Sequence, residues 1–481
     1  MILVAYTSNT FILSKPLPQQ LINSLQHVPG FEKSSFVATH QSGHQVTSVR
    51  FNTAKLSNNE SDEFEFVKQD GNNPGENILQ EPVPWCKNGR YLSERPSFTL
   101  DPLFHAGAYY VQEASSMFLD FAVKCLYKDA DAPNHVLDLC AAPGGKSTLL
   151  AAALPQSFIV SNEVIKNRVT ILAENISKWG SSNVAVTHND PADFKKLPGF
   201  FDLLVVDAPC SGSGLFRKDP DAIDEWSESN VAHCSMRQQR ILTDALPSLK
   251  TDGILIYCTC SYSVAEDETI CDWLAEEYGL TAIPLPIIND WGIVETFSPK
   301  HRAPAYRFYP DKVKGEGFFI ACFKQEKDVE VWESRIKPLQ ALQKNDWEMV
   351  SNWLSNPDEL FLFKQKETII GFHKDKLNEF STVQQLLNVR KSGVAIGTIK
   401  GKDLVPHHEL ALSGLVSSNI MRMELDETQA LRYLKRQDLM IETSYKGWAL
   451  AMYKSLPLGW MKVLGNRVNN YYPTEWRILK P

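Results

Sequence analysis

Residues 135–163 read HVLDLCAAPGGKSTLLAAALPQSFIVSNE, and this stretch decides the fold. A short apolar strand, HVLDLC, runs into the turn Pro143-Gly144-Gly145, then into the helix-forming GGKSTLLAAAL, then into a second strand, SFIVSNE. Continuous apolar strands alternating with amphipathic helices mark a parallel sheet covered on both faces. The pattern continues outward. VIKNRVTILAENISKWG carries Ile165, Val169, Leu172 and Ile176 at helical spacing, and the strands NVAVTHND, FDLLVVDAPC and DGILIYCTCS follow. Ser263 and Glu266 then stand at capping-box spacing ahead of TICDWLAEEYG, a further helix, and GEGFFIACFKQ adds one more strand. The expectation is a doubly wound α/β domain.

Around this domain the signals are weaker. Residues 16–30 read as helix, TSVRFNTAK as strand, and QDGNNPGENILQEPVPW as loop. On the C-terminal side QEKDVEVWESRIKPLQALQKNDWEMVSNWL reads as charged helix. The strand-like ELFLFKQ, ETIIGFH, GVAIGTIK, KGWALAMYK and GWMKVLG follow it. The divisions expected are 1–105, an N-terminal α/β extension; 106–325, the doubly wound domain; 326–383, a linking region; and 384–481, a small mostly-β module.

The bulk properties set bounds. The 481 residues are 43% hydrophobic and 22% charged, which is ordinary globular usage. No apolar run is long enough to span a membrane, and the apolar start MILVAYTSNTFILSK lacks the basic flank of a secretory signal. Net charge is −8, yet residues 384–481 carry 14 Lys and Arg against 8 Asp and Glu, a balance of +6 that leaves −14 elsewhere. A basic module on an acidic body points to a polyanionic partner held by one domain. The nine cysteines form no CxxC pair, so a zinc cage or disulfide framework is not expected, and the reducing cytoplasm is the expected compartment.

Ligands of open parallel sheets bind beyond the C-terminal ends of the strands. Those ends read Cys140-Ala141-Ala142-Pro143-Gly144-Gly145-Lys146, Glu163, Asn189-Asp190, Asp207-Ala-Pro-Cys210-Ser-Gly-Ser-Gly, and Cys258-Thr259-Cys260-Ser261. A glycine turn lets a ligand approach the helix N-terminus, and an acid ending the second strand is placed for ribose hydroxyls. Repeated carboxylates repel phosphates but complement an ammonium, a sulfonium and hydroxyls, so an adenosyl ligand with an amino-acid tail suits them better than a diphosphate. GGKST also looks like a phosphate-binding loop, but Cys140 occupies the place of that loop's first glycine. Asp190, standing before a proline, also fits a plain helix cap. Cys210 and Cys260 end adjacent strands. A thiolate there can add to C6 of a pyrimidine, which makes C5 electron-rich enough to take a methyl group. Cys125, Cys258, Cys271 and Cys322 read as small core residues.

Taken together, TSVRFNT at 47–53, YYVQEASS at 109–116, DLCAAPGGKST, DAPCSGSG, the Thr259-Cys260-Ser261 turn and RFYPDKVKGEGFF at 307–319 resemble the NOL1/NOP2/Sun family of RNA cytosine-C5 methyltransferases. The tail LPLGWMKVLGNRVNNYYPTEWR resembles that of its bacterial 16S ribosomal RNA branch, which ends in a PUA-like module. The resemblance implies a Rossmann-like class I domain holding S-adenosylmethionine with residues 140–146, Glu163, Asp190 and Asp207. It implies Cys260 as nucleophile and Cys210 in product release, with Asp207 against the cytosine edge. The expected partner is RNA, 16S ribosomal RNA in or near the small subunit, with no DNA, membrane or metal. Lys462, Arg467 and Arg477, interleaved with Tyr471, Tyr472 and Trp476, are candidate RNA contacts, or else a solvated surface over an aromatic mini-core. One departure stands out: Asp311 follows the proline where family members commonly have His. Three alternatives stay open: a transfer RNA substrate, a non-catalytic RNA-binding assembly factor, and DNA cytosine methylation with the Pro-Cys cysteine as nucleophile.

Overall fold

Ahead of the doubly wound domain, β1 (Thr47–Phe51), β2 (Gln80–Val83), β3 (Cys86–Leu92) and β4 (Tyr109–Val111) form an antiparallel sheet in the order β2-β3-β1-β4. β4 lies past the division expected at 105/106, because its backbone pairs with β1 rather than with the following domain. The computed structural model describes residues 15–56, 60–61, 63–67, 76–127, 132–331, 337–465 and 467–480. Expectations for residues 1–14, for 69–75 in the loop-rich stretch and for 332–336 in the charged stretch lie outside these. Of residues 16–30, only Gln19–Leu25 is helical.

The strands read from 135–163 outward form the expected parallel sheet: β5 (His135–Asp138), β6 (Phe158–Asn162), β7 (Val184–Thr187), β8 (Phe201–Asp207) and β9 (Leu249–Thr259). Helix α1 (Gly145–Ala153) joins β5 to β6, α2 (Lys166–Trp179) joins β6 to β7, and α3 (Glu228–Ala245) lies between β8 and β9. Alternate residues go to opposite faces. Val136, Ile159, Leu203 and Val205 enter one core with Leu149, Leu172 and Ile176, while Leu137, Val160, Leu204 and Val206 enter another with Ile241 and Leu242. Continuous apolar runs are required because both faces are buried.

Beyond β9 the sheet turns antiparallel through β10 (Val294–Phe297), β11 (Pro304–Phe308) and β12 (Phe318–Lys324), in the order β10-β11-β12-β9-β8-β5-β6-β7. The expected capping box does not form. The helix over Glu268–Trp273 has Asp267 at its N-cap with no side-chain cap, and Glu266 is drawn away into the interior. The charged stretch is helical only at Lys344–Ser351 among its described residues.

The division expected at 383/384 also shifts. β13 (Leu360–Gln365), β14 (Thr368–His373), β16 (Val394–Lys400) and β17 (Asp403–Pro406) make one four-stranded sheet across it. Between them β15 (Val389–Ser392) leaves to pair antiparallel with β7, covering an edge that would otherwise expose unpaired backbone groups. The last sheet comprises β18 (Met421–Glu424), β19 (Lys446–Tyr453), β20 (Leu456–Leu464) and β21 (Val468–Asn470). Its core is continuous with that of the N-terminal sheet: Val49, Phe51 and Tyr109 share a cluster with Tyr433, Leu458 and Tyr472. Among the described residues no helix is long and apolar enough to cross a membrane.

A buried ion network props the loop after β9. Arg307 on β11 donates from Nε and Nη2 to the two oxygens of Glu268 and from Nη1 to the Tyr262 carbonyl at 2.9 Å, with Asp267 Oδ2 3.1 Å from Nη2. Burial pushes the Asp267 carboxyl up, whereas at Glu268 the nearby guanidinium overcomes burial and holds the carboxyl down. Removing one partner of a buried ion network leaves uncompensated charge. Arg307→Ala is therefore expected to lose about 3–5 kcal/mol of stability, read as a lower denaturant midpoint in equilibrium unfolding.

Candidate active site

All the strand-end residues singled out in the sequence lie along the C-terminal edge of the parallel sheet. The turn after β5 is tied to its neighbours by backbone bonds, Leu139 N–H to the Val205 carbonyl at 3.0 Å and Ala141 N–H to the Asn162 carbonyl at 2.8 Å. Gly144, at φ +114°, is the N-cap of α1, in a region L side chains rarely adopt. Asn162 reinforces this edge. Its amide donates to the carbonyls of Leu139 and Asn189, and its oxygen accepts from the Thr187 hydroxyl and the Asn189 N–H. Asn162 is not among the strand-end candidates that the sequence offers, although it directly precedes Glu163.

The acids differ in their surroundings. Glu163 is buried. Its Oε1 accepts from the Ile165 N–H at 2.8 Å, while Oε2 has no hydrogen bond, though Arg168 Nη1 lies 3.2 Å away. Asp207 takes the Lys146 ammonium at 2.7 Å. Burial alone would push that ammonium down, but the Asp207 charge outweighs it and holds the proton on. Asp190 accepts from the Ala192 N–H at 3.1 Å, capping the short helix Pro191–Lys196, with Arg240 3.4 Å away. The cap reading of Asp190 therefore describes its local role.

Cys210 and Cys260 meet, their Sγ atoms 3.1 Å apart. The contact with Cys260, together with burial, pushes the Cys210 thiol well above the ordinary range. Close backbone approach holds the loops together: Gly214 N–H donates to the Cys260 carbonyl at 2.8 Å and Gly317 N–H to the Gly214 carbonyl at 3.0 Å. A Cβ on Gly214 would lie 2.6 Å from the Gly317 carbonyl oxygen, so only glycine fits. Arg217 and Glu316, paired at 2.9 Å in the interior, support this junction, with Arg217 also donating to the Gly315 carbonyl at 2.7 Å. Asp311, the departure from the family pattern, accepts from the Ser35 hydroxyl at 2.6 Å and so ties the loop to the helix Lys33–Gln41. Cys258, Cys271 and Cys322 are buried as expected of core residues, but Cys125 is exposed, a correction to the reading that grouped it with them.

The C-terminal candidates are dispersed. Lys462 is half-buried with its ammonium 5.2 Å from the Trp448 ring centre, while Arg467 and Arg477 are exposed. Tyr472 is a core residue whose hydroxyl lies 3.2 Å from His105 Nδ1, and Trp476 packs on His408 and Lys178. Tyr471 is exposed against Trp448.

The chain is similar to known proteins along most of its length. Residues 126–324 match the family model described as 16S rRNA methyltransferase RsmB/F, residues 17–114 that of the N-terminal domain of 16S rRNA methyltransferase RsmF, and residues 421–478 that of the methyltransferase RsmF PUA domain. A ribosomal RNA small subunit methyltransferase F of Shewanella sp. (strain W3-18-1) is 30% identical over 460 residues, covering 89% of this chain and 90% of the relative. Its namesake from Aliivibrio fischeri (strain ATCC 700601 / ES114) is 31% identical over 412 residues, covering 82% and 85%. Among solved structures, a methyltransferase homolog protein from Pyrococcus horikoshii is 27% identical with a TM-score of 0.50, covering 64% of this chain and 100% of its own. NSun6 from Pyrococcus horikoshii with SFG, at 19% identity and a TM-score of 0.52, shares the fold over 65% of this chain and 99% of its own.

Asp138, under the glycine turn, supplies a pH signature. Burial is the main cause that pushes its carboxyl up to about 7 from 3.8, although Oδ2 accepts from the Ser147 hydroxyl. With the folded value raised, the unfolded chain releases this proton first as pH rises. The site therefore costs stability progressively between about pH 4 and 7, and the loss is complete above that. Asp138→Asn has no proton to lose. Its thermal midpoint should gain on the wild type across that window, as followed by calorimetry at stepped pH.

Proposed function

The chain belongs to the 16S rRNA methyltransferase RsmB/F family, in its F branch, and from that premise we propose that it transfers a methyl group from S-adenosylmethionine to C5 of a cytosine in 16S ribosomal RNA. The observation that carries this reading is the pair of thiols 3.1 Å apart at the ends of adjacent strands, beside the Asp207 strand end. Paired thiols at a strand-end cleft speak against a non-catalytic scaffold.

The strand ends fit the cofactor. Glu163 Oε2 and Asp138 Oδ1 are buried acceptors without hydrogen bonds, and Glu163 at the end of β6 is where ribose hydroxyls would donate. Residues 140–146 would hold the cofactor from the turn, with Asp190 and Asp207 on the neighbouring strand ends. S-adenosylmethionine would supply an electrophilic methyl group on a sulfonium.

The residues of this chain do the rest. Cys260, as thiolate, adds to C6 of the cytosine, and the ring electrons move toward C5. Asp207 is assigned to the N3/N4 edge, where a carboxylic group stabilises the adduct. After C5 has taken the methyl group, its proton must leave to a base and the C6–S bond must break, returning the electron pair to the ring and the thiolate to Cys260. Cys210, in contact with the Cys260 sulfur, is assigned to this release. The target base must leave its stack to reach the thiols. Duplex RNA hides its base edges in a narrow groove, so shape and phosphate contacts must guide docking. The basic C-terminal module, with Lys462, Arg467 and Arg477, is assigned to that task. This reading places the protein in the cytoplasm, with its ribosomal RNA.

Three variants test the reading. Cys260→Ala should abolish methyl transfer, whereas Cys210→Ala should still attack and accumulate RNA covalently bound on a denaturing gel with radiolabelled 16S ribosomal RNA. The same band for Cys260→Ala alone would reverse the roles. Glu163→Ala should weaken S-adenosylmethionine binding by about 1–3 kcal/mol in titration calorimetry, the cost of losing hydrogen bonds to a charged acceptor.

A further inference from the structure

We infer that Glu266 is a positioning residue that holds the Cys210 and Cys260 loops in register through Ser211 and Ser261; the inference builds on the activity proposed above. Glu266 is completely buried. Its Oε1 accepts from the Ser211 N–H at 2.7 Å, and its Oε2 accepts from both the Ser211 and the Ser261 hydroxyls at 2.6 Å. Each serine directly follows one of the paired cysteines, and the two hydroxyl oxygens are 3.4 Å apart. One carboxylate thus grips equivalent positions in two loops that are 50 residues apart in the chain.

Other bonds aim the carboxylate. The Tyr257 hydroxyl donates to the Glu266 carbonyl at 2.6 Å, and the buried Gln238 amide reaches the Pro209 carbonyl at 3.2 Å with Glu266 Oε1 3.5 Å away. The Ser261 hydroxyl also accepts from the Ser263 N–H at 3.0 Å. A buried carboxylate accepting short bonds is stiff, because each broken bond leaves an unsatisfied polar group in a dry site. Glu266 touches neither sulfur. Its charge helps to push the Cys210 thiol up, and its hydrogen bonds act through the separation and aim of the two thiols, where an error of about 1 Å costs on the order of a hundredfold in rate.

The test reads thiol geometry directly. In the full-length protein, diamide takes one hydrogen from each paired thiol onto its N=N bond, becoming the hydrazine, and leaves Cys210 and Cys260 joined as a disulfide. Peptide mass spectrometry follows the rate, with neither RNA nor cofactor present. Glu266→Gln puts a donor where serine donors point, and Ser211→Ala with Ser261→Ala removes the hydroxyls while keeping the carboxyl. Both variants are expected to pair their thiols about tenfold more slowly than wild type, and to lose kcat by about tenfold or more with KM for S-adenosylmethionine within about twofold. Pairing at the wild-type rate in the folded double-serine variant overturns the inference, and that variant decides the matter if Glu266→Gln fails to fold. Slowed pairing in an enzyme that methylates no 16S ribosomal RNA would instead retain the clip and reject the proposed activity.

Discussion

The parallel pairing of β8 with β9 is the constraint on which the site depends. Its register sets Asp207 opposite Cys258, so both chains leave the sheet at the same level and turn toward each other. Two thiols from distant segments then meet without any local sequence bringing them together. On its other side β8 pairs with β5, which puts the Asp207 carboxylate within reach of Lys146 on α1 and links the glycine turn to the cysteine loops. A slip of one residue would turn the side chains of one strand to the opposite face and dissolve the contact. The apolar residues on both faces make such a slip costly, since each face packs against its own core.

Polar residues in the interior do a different job from the apolar cores. Arg307, Glu268 and Asp267, with Arg217 and Glu316, are buried pairs whose desolvation offsets much of their attraction. Apolar residues of similar volume would serve stability as well or better. What the ion pairs contribute is direction: they hold the loops over residues 260–268 and 315–317 against the cysteine turns, where Gly214 and Gly317 allow backbone to touch backbone. The edges of the domain are closed by chain from elsewhere. β15 covers β7, and the C-terminal sheet shares a core with the N-terminal one. The terminal modules are thereby built onto the catalytic scaffold, with the Lys178 ammonium on α2 lying 5.1 Å from the Trp476 ring.

Much of this was legible in the amino-acid order, because strand and helix periodicity, the glycine turn and the chemistry at strand ends are local properties. HVLDLC and FDLLVVDAPC have no alternative to burial on two faces, and the residues that follow such strands lie at the ligand-binding edge of any parallel sheet. Local spacing also identified Cys210 and Cys260 as strand-end thiols. It misled where a side chain had a choice of partners. Ser263 and Glu266 have capping-box spacing, yet Glu266 goes to Ser211 and Ser261, where it meets a cluster of buried donors, while the helix end at Asp267 and Glu268 is tied to Arg307 instead. Only the tertiary structure decided that choice, the 3.1 Å meeting of the sulfurs, and the departure of β15 from its neighbours to β7. Each joins residues far apart in the chain, and such pairings are set by sheet register and by what remains unsatisfied in the packed interior, neither of which a local window of sequence contains.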